Sequence, residues 1–270
     1  MITVPEFYKR KIAKKKISMI TCYDSSFATI VNDSPIDVIL IGDSSAMVMH
    51  GFSSTVNADA NMIETHVAAV ARTAKNKFIV ADMPFLSNRS GIISATKIAG
   101  SFIRAGAHAV KIEGIRGNEE IVKHLVETWI PVMGHLGLTP QFVNQFGGMK
   151  VQATSIKAQE MLLTDAKAFE DAGAFSLVLE CVPNKIAKTV TDLLQIPTIG
   201  IGAGVGTDGQ VLVLQDLLGF SPSFKPKFLR QYLNGYELFK SAFEQFHLDV
   251  TEETFPNEKE SYHESFKNNQ

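Results

Sequence analysis

Eight short β-like runs recur along the chain with helical stretches between them, and few folds accommodate that alternation. The runs are Ile17–Cys22, Asp37–Ile41, Phe78–Ala81, Ala109–Ile112, Pro131–Met133, Ser176–Leu179, Thr198–Ile201 and Gln210–Leu214. Helical spacing marks Ser25–Asn32, Asn57–Thr73, Gly91–Ala105, Asn118–Trp129, Ile156–Ala172 and Lys185–Leu194. Such alternation predicts parallel strands joined by crossover helices. Several runs are continuously apolar, as strands covered on both faces are. The chain has 270 residues, 45% of them hydrophobic, and shows no second composition regime. It therefore predicts an α/β fold, a closed (β/α)8 TIM barrel, whose usual size is ~250 residues. We read residues 1–270 as one barrel domain. From about 225 to 270 it carries a C-terminal extension: an amphipathic helix over Phe228–Phe246, then a polar tail, Asp249–Gln270.

Polar groups stand where these runs end. Val38–Ile41 leads into Gly42–Asp43–Ser44, Phe78–Ala81 into Asp82, Ala109–Ile112 into Glu113, Pro131–Met133 into Gly134–His135, and Ser176–Leu179 into Glu180. Parallel strands gather all of these on one rim, where barrels keep their chemistry. Asp43 and Asp82 follow adjacent strands, which lie about 5 Å apart, so their carboxylates can share a divalent ion with Glu113 beside them. Oxygen donors favour Mg²⁺ over zinc. Against this stands the bland reading, in which each Asp caps the following helix. Lys111 sits two residues before Glu113 and points the same way. A lysine in a barrel mouth must meet an anion, either Glu113 or a substrate carboxylate. Ser44 can bind a carboxylate or cap a helix. Glu180, across the ring, can take a proton from a carbon next to a carbonyl or serve as a helix cap. His135 can orient a ligand, donate a proton or bond to backbone. The glycines of Gly200–Ile201–Gly202–Ala203–Gly204 are read as keeping the mouth open for a bulky ligand.

Net charge is −2, so no sequence-wide basic field points to nucleic acid or to an anionic membrane. No apolar run approaches the ~20 residues that span a bilayer. The basic N-terminal stretch, Lys9 to Lys16, lacks the apolar segment of a secretory signal and reads as a solvated helix face. Cys22 and Cys181 form no ligand pattern and read as reduced thiols of an intracellular protein.

Longer strings now carry a resemblance. Ile41–Gly42–Asp43–Ser44, Ala81–Asp82–Met83–Pro84–Phe85, Val110–Lys111–Ile112–Glu113–Gly114 and Gly134–His135–Leu136–Gly137–Leu138–Thr139–Pro140–Gln141 are similar to motifs of the ketopantoate (3-methyl-2-oxobutanoate) hydroxymethyltransferase family. Phe146–Gly147–Gly148, Leu179–Glu180–Cys181–Val182–Pro183 and Thr207–Asp208–Gly209–Gln210 continue the series in order. The resemblance implies a cytoplasmic, homodecameric (β/α)8 enzyme. It moves a one-carbon unit from 5,10-methylenetetrahydrofolate to 3-methyl-2-oxobutanoate, giving 2-dehydropantoate for pantothenate synthesis. It also implies that Asp43, Asp82 and Glu113 hold Mg²⁺, that Asp43, Ser44, Asp82 and Lys111 contact the keto acid, and that Glu180 accepts the proton.

The chain departs from the family pattern after strand two. Ser45–Ala46–Met47 replaces Leu-Gly-Met, and Val56–Asn57–Ala58–Asp59 replaces Leu/Val-Pro-Val-Thr. Two other readings remain beside the resemblance. One is a Mg²⁺-dependent 2-oxo-acid lyase or mutase, which would use a cysteine in a mobile loop; both cysteines here stand at strand ends. The other is a barrel kept only as a binding or scaffold protein.

Overall fold

The structure, a computed structural model, describes residues 1–262; the last eight residues of the expected tail lie outside the described residues. Eight parallel strands close into a barrel in chain order: β1 Ile17–Thr21, β2 Val38–Ile41, β3 Phe78–Asp82, β4 Ala109–Glu113, β5 Val132–Gly137, β6 Ser176–Glu180, β7 Thr198–Ile201 and β8 Gly209–Leu212. Between and around them run α1 Val4–Ile12, α2 Ser25–Asp33, α3 Ser45–Val48, α4 Ala60–Thr73, α5 Ile92–Ala105, α6 Glu119–Glu127, α7 Val143–Phe146, α8 Ile156–Asp171, α9 Asn184–Leu193, α10 Leu214–Leu217 and α11 Gly235–Thr251. This is the (β/α)8 fold expected from the alternation. Helix starts follow local chemistry: the Asp24, Asp59 and Ser155 side chains accept from backbone N–H groups of the first turns of α2, α4 and α8.

The chain divides into two compact units, Met1–Leu214 with Lys227–Leu229, and Gln215–Pro226 with Arg230–Gln270. The first holds the barrel, whose interior is filled by Met19, Leu40, Val80, Met133, Val178 and Val211, among others. Phe7 of α1 closes the N-terminal end. It is fully buried, with edge-on ring contacts to Phe78 at 5.4 Å and to Phe175 at 5.1 Å. The basic stretch behind it is only partly the solvated face expected. Arg10 pairs with Asp37 at 2.7 Å and Lys11 with Asp208 at 2.8 Å, while Lys16 bonds the Thr207 carbonyl. Carboxylates and carbonyls at the strand starts draw these cations in.

In the second unit the helix begins later than the amphipathic pattern predicts, at Gly235 rather than Phe228, and runs on to Thr251. The backbone N–H groups of Tyr232 and Gly235 donate to the Leu217 and Leu218 carbonyls, each at 2.8 Å, which holds that stretch non-helical. Tyr236, Leu238, Phe239, Phe243 and Phe246 of α11 are exposed. Among the described residues no helix is long and apolar enough to cross a membrane.

Candidate active site

The polar strand ends meet. In the barrel register Asp82 stands opposite Lys111, Glu113 opposite His135, and Gly137 opposite Glu180. Asp82, Glu113 and Glu180 are the last residues of their strands, and Asp43 lies two residues beyond β2. His135 is inside a strand, because β5 continues to Gly137 rather than stopping at Met133. Asp43, Asp82, Lys111, Glu113 and His135 are all buried, at 2–4% exposure. They line a cavity of about 100 Å³ with Ser44, Thr55 and Glu180, over an apolar floor that includes Leu40, Val178 and Val211. That size suits a small acid and is well below the 300–1,000 Å³ of sites for larger ligands.

A chain of charged contacts crosses the cavity. The Asp43 backbone N–H donates to Asp82 Oδ2 at 3.0 Å. Lys111 Nζ lies 3.1 Å from Asp82 Oδ1, 3.9 Å from Glu113 Oε1 and 3.0 Å from His135 Nδ1. Lysine has only donors, so His135 Nδ1 accepts and, in a neutral ring, its N–H sits on Nε2. Nε2 faces Glu180 Oε2 at 3.2 Å. Burial, then the Lys111 charge, pushes the His135 pKa down, which favours that neutral form. His135 is thus engaged with side chains rather than with backbone. It links Glu180 to the acidic cluster, so the base candidate is not separated from that cluster by an open mouth.

The carboxyls are held in tension. Burial, then the Glu113 and Asp82 charges, raises Asp43 well above the usual carboxylate range. Burial lifts Glu113 to about 7, with Lys111 opposing and Asp82 reinforcing the rise. Burial alone would lower Lys111, yet the carboxylates Asp82, Glu113 and Asp43 outweigh it and keep the ammonium charged. Asp82 Oδ1 and Glu113 Oε1 are buried without a well-aligned hydrogen bond. Three clustered carboxyls against one ammonium, with two of their oxygens lacking a well-aligned hydrogen bond, fit a hard, oxygen-preferring cation. Among the described residues, however, no three His, Cys, Asp or Glu side chains stand close enough to enclose an ion as placed. An ion held here would keep water ligands, which is the habit of Mg²⁺.

Two supports carry no role in the sequence reading. Gln141, in the turn after β5, donates from Nε2 to Asp43 Oδ2 at 2.9 Å and to the Met83 carbonyl at 3.0 Å, while its backbone N–H donates to Glu113 Oε2 at 3.1 Å. Tyr23 Oη shares a 2.7 Å hydrogen bond with Ser44 Oγ. A glutamine after Thr-Pro in an irregular segment has no periodicity to flag it. The glycines after β7 differ from expectation. A Cβ on Gly204 would stand 2.5 Å from that of Asn184, and one on Gly200 2.7 Å from Thr207 Oγ1, so they serve close packing rather than an open mouth.

A closed parallel barrel with carboxyl, imidazole and ammonium groups around one cavity at its rim defines the class: a (β/α)8 protein with its polar site where such barrels keep their chemistry. The family model for ketopantoate hydroxymethyltransferase matches residues 1–258. Similar relatives include the 3-methyl-2-oxobutanoate hydroxymethyltransferase of Bdellovibrio bacteriovorus, 57% identical over 97% of this chain and 100% of its own. Another is that of Coxiella burnetii, 48% identical over 94% and 96%. Among solved structures, phosphonopyruvate hydrolase aligns with a TM-score of 0.64 at 10% identity, over 96% of this chain and 93% of that one. 2,3-Dimethylmalate lyase aligns at 0.59 and 15%, over 93% and 100%. These two show the barrel alone. The chain belongs to the ketopantoate hydroxymethyltransferase family.

Proposed function

We propose that the protein is a hydroxymethyltransferase that adds a one-carbon unit from 5,10-methylenetetrahydrofolate to 3-methyl-2-oxobutanoate, giving 2-dehydropantoate. The observation that carries this reading is the 57% identity to a relative of that name over that relative's whole length. The site supports it chemically. Asp43, Asp82 and Glu113 would hold Mg²⁺, which supplies Lewis-acid stabilisation of negative charge developing on the keto oxygen. Lys111 and Ser44 bind the substrate carboxylate, with Asp43 and Asp82 completing the contacts, and the apolar floor receives the branched carbon end. Glu180 takes the proton from C3, and His135 orients its carboxylate from Nε2. The electron pair left at C3 attacks the donor's one-carbon unit. One water is consumed in the overall transfer and tetrahydrofolate leaves.

The lyase or mutase reading is not favoured: the structural neighbours of that kind are at or below 15% identity in the comparisons above. A binding-only barrel would leave the buried acid, base and ammonium groups without employment. Turnover decides the matter. Product should form only when keto acid, methylenetetrahydrofolate and Mg²⁺ are all present, and chelation should stop it. Turnover that persists under full chelation overturns the metal assignment, and none with all three present overturns the reading. We also propose a cytoplasmic homo-oligomer, a decamer by family resemblance. Its supports are two cysteines outside any disulfide and the exposed apolar side chains of α11. A sedimentation mass equal to one chain would remove the oligomer, and cell fractionation tests the location.

A further inference from the structure

Outside the catalytic cavity, two imidazoles point at one another. His50 lies in the turn after α3 and His66 in α4; their Nε2 atoms are 2.9 Å apart, and their ring planes meet at 64°. His66 Nδ1 lies 2.6 Å from the Tyr23 carbonyl oxygen. A carbonyl only accepts, so the His66 proton sits on Nδ1, and in the neutral ring Nε2 is a bare lone pair. The 2.9 Å contact then holds one proton, supplied by His50. Moving that proton to His50 Nδ1, a change of tautomer, leaves two bare lone pairs aimed at the same point.

We propose that His50 and His66 form a second metal site, for a late first-row divalent cation such as Zn²⁺ or Ni²⁺, which fastens the turn after α3 to α4. Four features carry this. Imidazole pairs select zinc, nickel and copper over Mg²⁺ and Ca²⁺, so the carboxylate cluster and this pair suit different ions. A ligating histidine almost always donates its other N–H to a carboxylate or backbone carbonyl, and the Tyr23 carbonyl does this for His66. Metal–imidazole bonds of about 2.0–2.1 Å in a tetrahedral site ask for nitrogens roughly 3.3 Å apart, a few tenths of an ångström beyond the present contact. His50 is exposed and His66 half-buried, so His50 can yield that distance and solvent can supply the remaining ligands. No third His, Cys, Asp or Glu joins the pair among the described residues.

The site adjoins the catalytic rim through one residue. Tyr23 accepts from His66 at its carbonyl and bonds Ser44 at its hydroxyl, and Thr55, further along the same connection, lines the cavity. A cation on the histidine pair restrains the connection that brings Ser44 and Thr55 to substrate.

Zn²⁺ titrated into the full chain by calorimetry, with Mg²⁺ in large excess to occupy the carboxylates, tests the proposal. At about pH 7.5 the protein should take up one Zn²⁺ per chain. His50→Gln should weaken that uptake by at least about tenfold, and acidification should weaken it in the wild type, because metal and protons compete for the same ring nitrogens. Imidazole nitrogen NMR of the wild type gives a readout independent of any variant: Zn²⁺ should shift both Nε2 signals and move the His50 proton to Nδ1. Equal Zn²⁺ affinity in wild type and His50→Gln overturns the proposal. So does uptake that excess Mg²⁺ abolishes, or none at all.

Discussion

Gln141 sets how firmly the acidic cluster is held, because one side chain ties Asp43 to the Met83 carbonyl while its backbone N–H fixes Glu113. Outer partners of ligating carboxylates typically contribute 10–100-fold to metal affinity. Gln141→Ala should therefore weaken Mg²⁺ binding by roughly 10–100-fold with the fold intact, read by calorimetry and circular dichroism. Unchanged affinity would show that Asp43 needs no such hold. The contrast with Asp43, Asp82 and Glu113 is instructive. Those residues were legible because a charge at the end of an apolar run is anomalous. Gln141 was not, since its meaning comes from a turn that folds back over the rim, and no local pattern encodes that return. Lys111 was legible as a buried cation; its nearest carboxylate is Asp82 across the register rather than Glu113 on its own strand.

At the scale of elements, the strands were readable from their apolar runs and the helices from their spacing, while ends and plugs were not. β5 continues through Gly134–His135–Leu136–Gly137, where glycines and a histidine mask the strand signal. Helix α11 starts seven residues later than its amphipathic pattern, because backbone bonds to Leu217 and Leu218 outweigh local preference. Helix α1 reads as a basic surface segment, and its main work is done by one apolar residue. Phe7→Ala removes a fully buried ring from an aromatic cluster and should cost about 3–5 kcal/mol, measured by denaturant unfolding. A cost under about 1 kcal/mol would mean that the barrel end is closed by other means. The same helix carries a pH prediction. Burial would raise the Asp37 carboxyl, but Arg10 and the Ser18 hydrogen bonds outweigh it and hold the pKa below the ordinary aspartate value. A depressed folded-state value gives stability that is complete above the ordinary aspartate range and lost as pH falls through the folded value. Arg10→Met should flatten this acid-side loss in urea midpoints measured below about pH 4, and an unchanged acid profile would contradict the pairing.

For the whole molecule, the eight-unit alternation was enough to specify a closed barrel, and the ordered strings at its rim were enough to place the chain in its family. Less visible was how tightly the rim closes: the link from Asp82 through Lys111 and His135 to Glu180 depends on register across four strands. In the proposed reaction this linked set removes a proton from the carbon beside a keto group. Exchange of the C3 hydrogen of 3-methyl-2-oxobutanoate with solvent deuterium, followed by NMR without any folate, tests that step in isolation. Wild type with Mg²⁺ should exchange and chelation should stop it. Glu180→Gln should still bind the keto acid yet exchange about 10²–10⁴-fold more slowly. Exchange at the wild-type rate in Glu180→Gln would contradict the account.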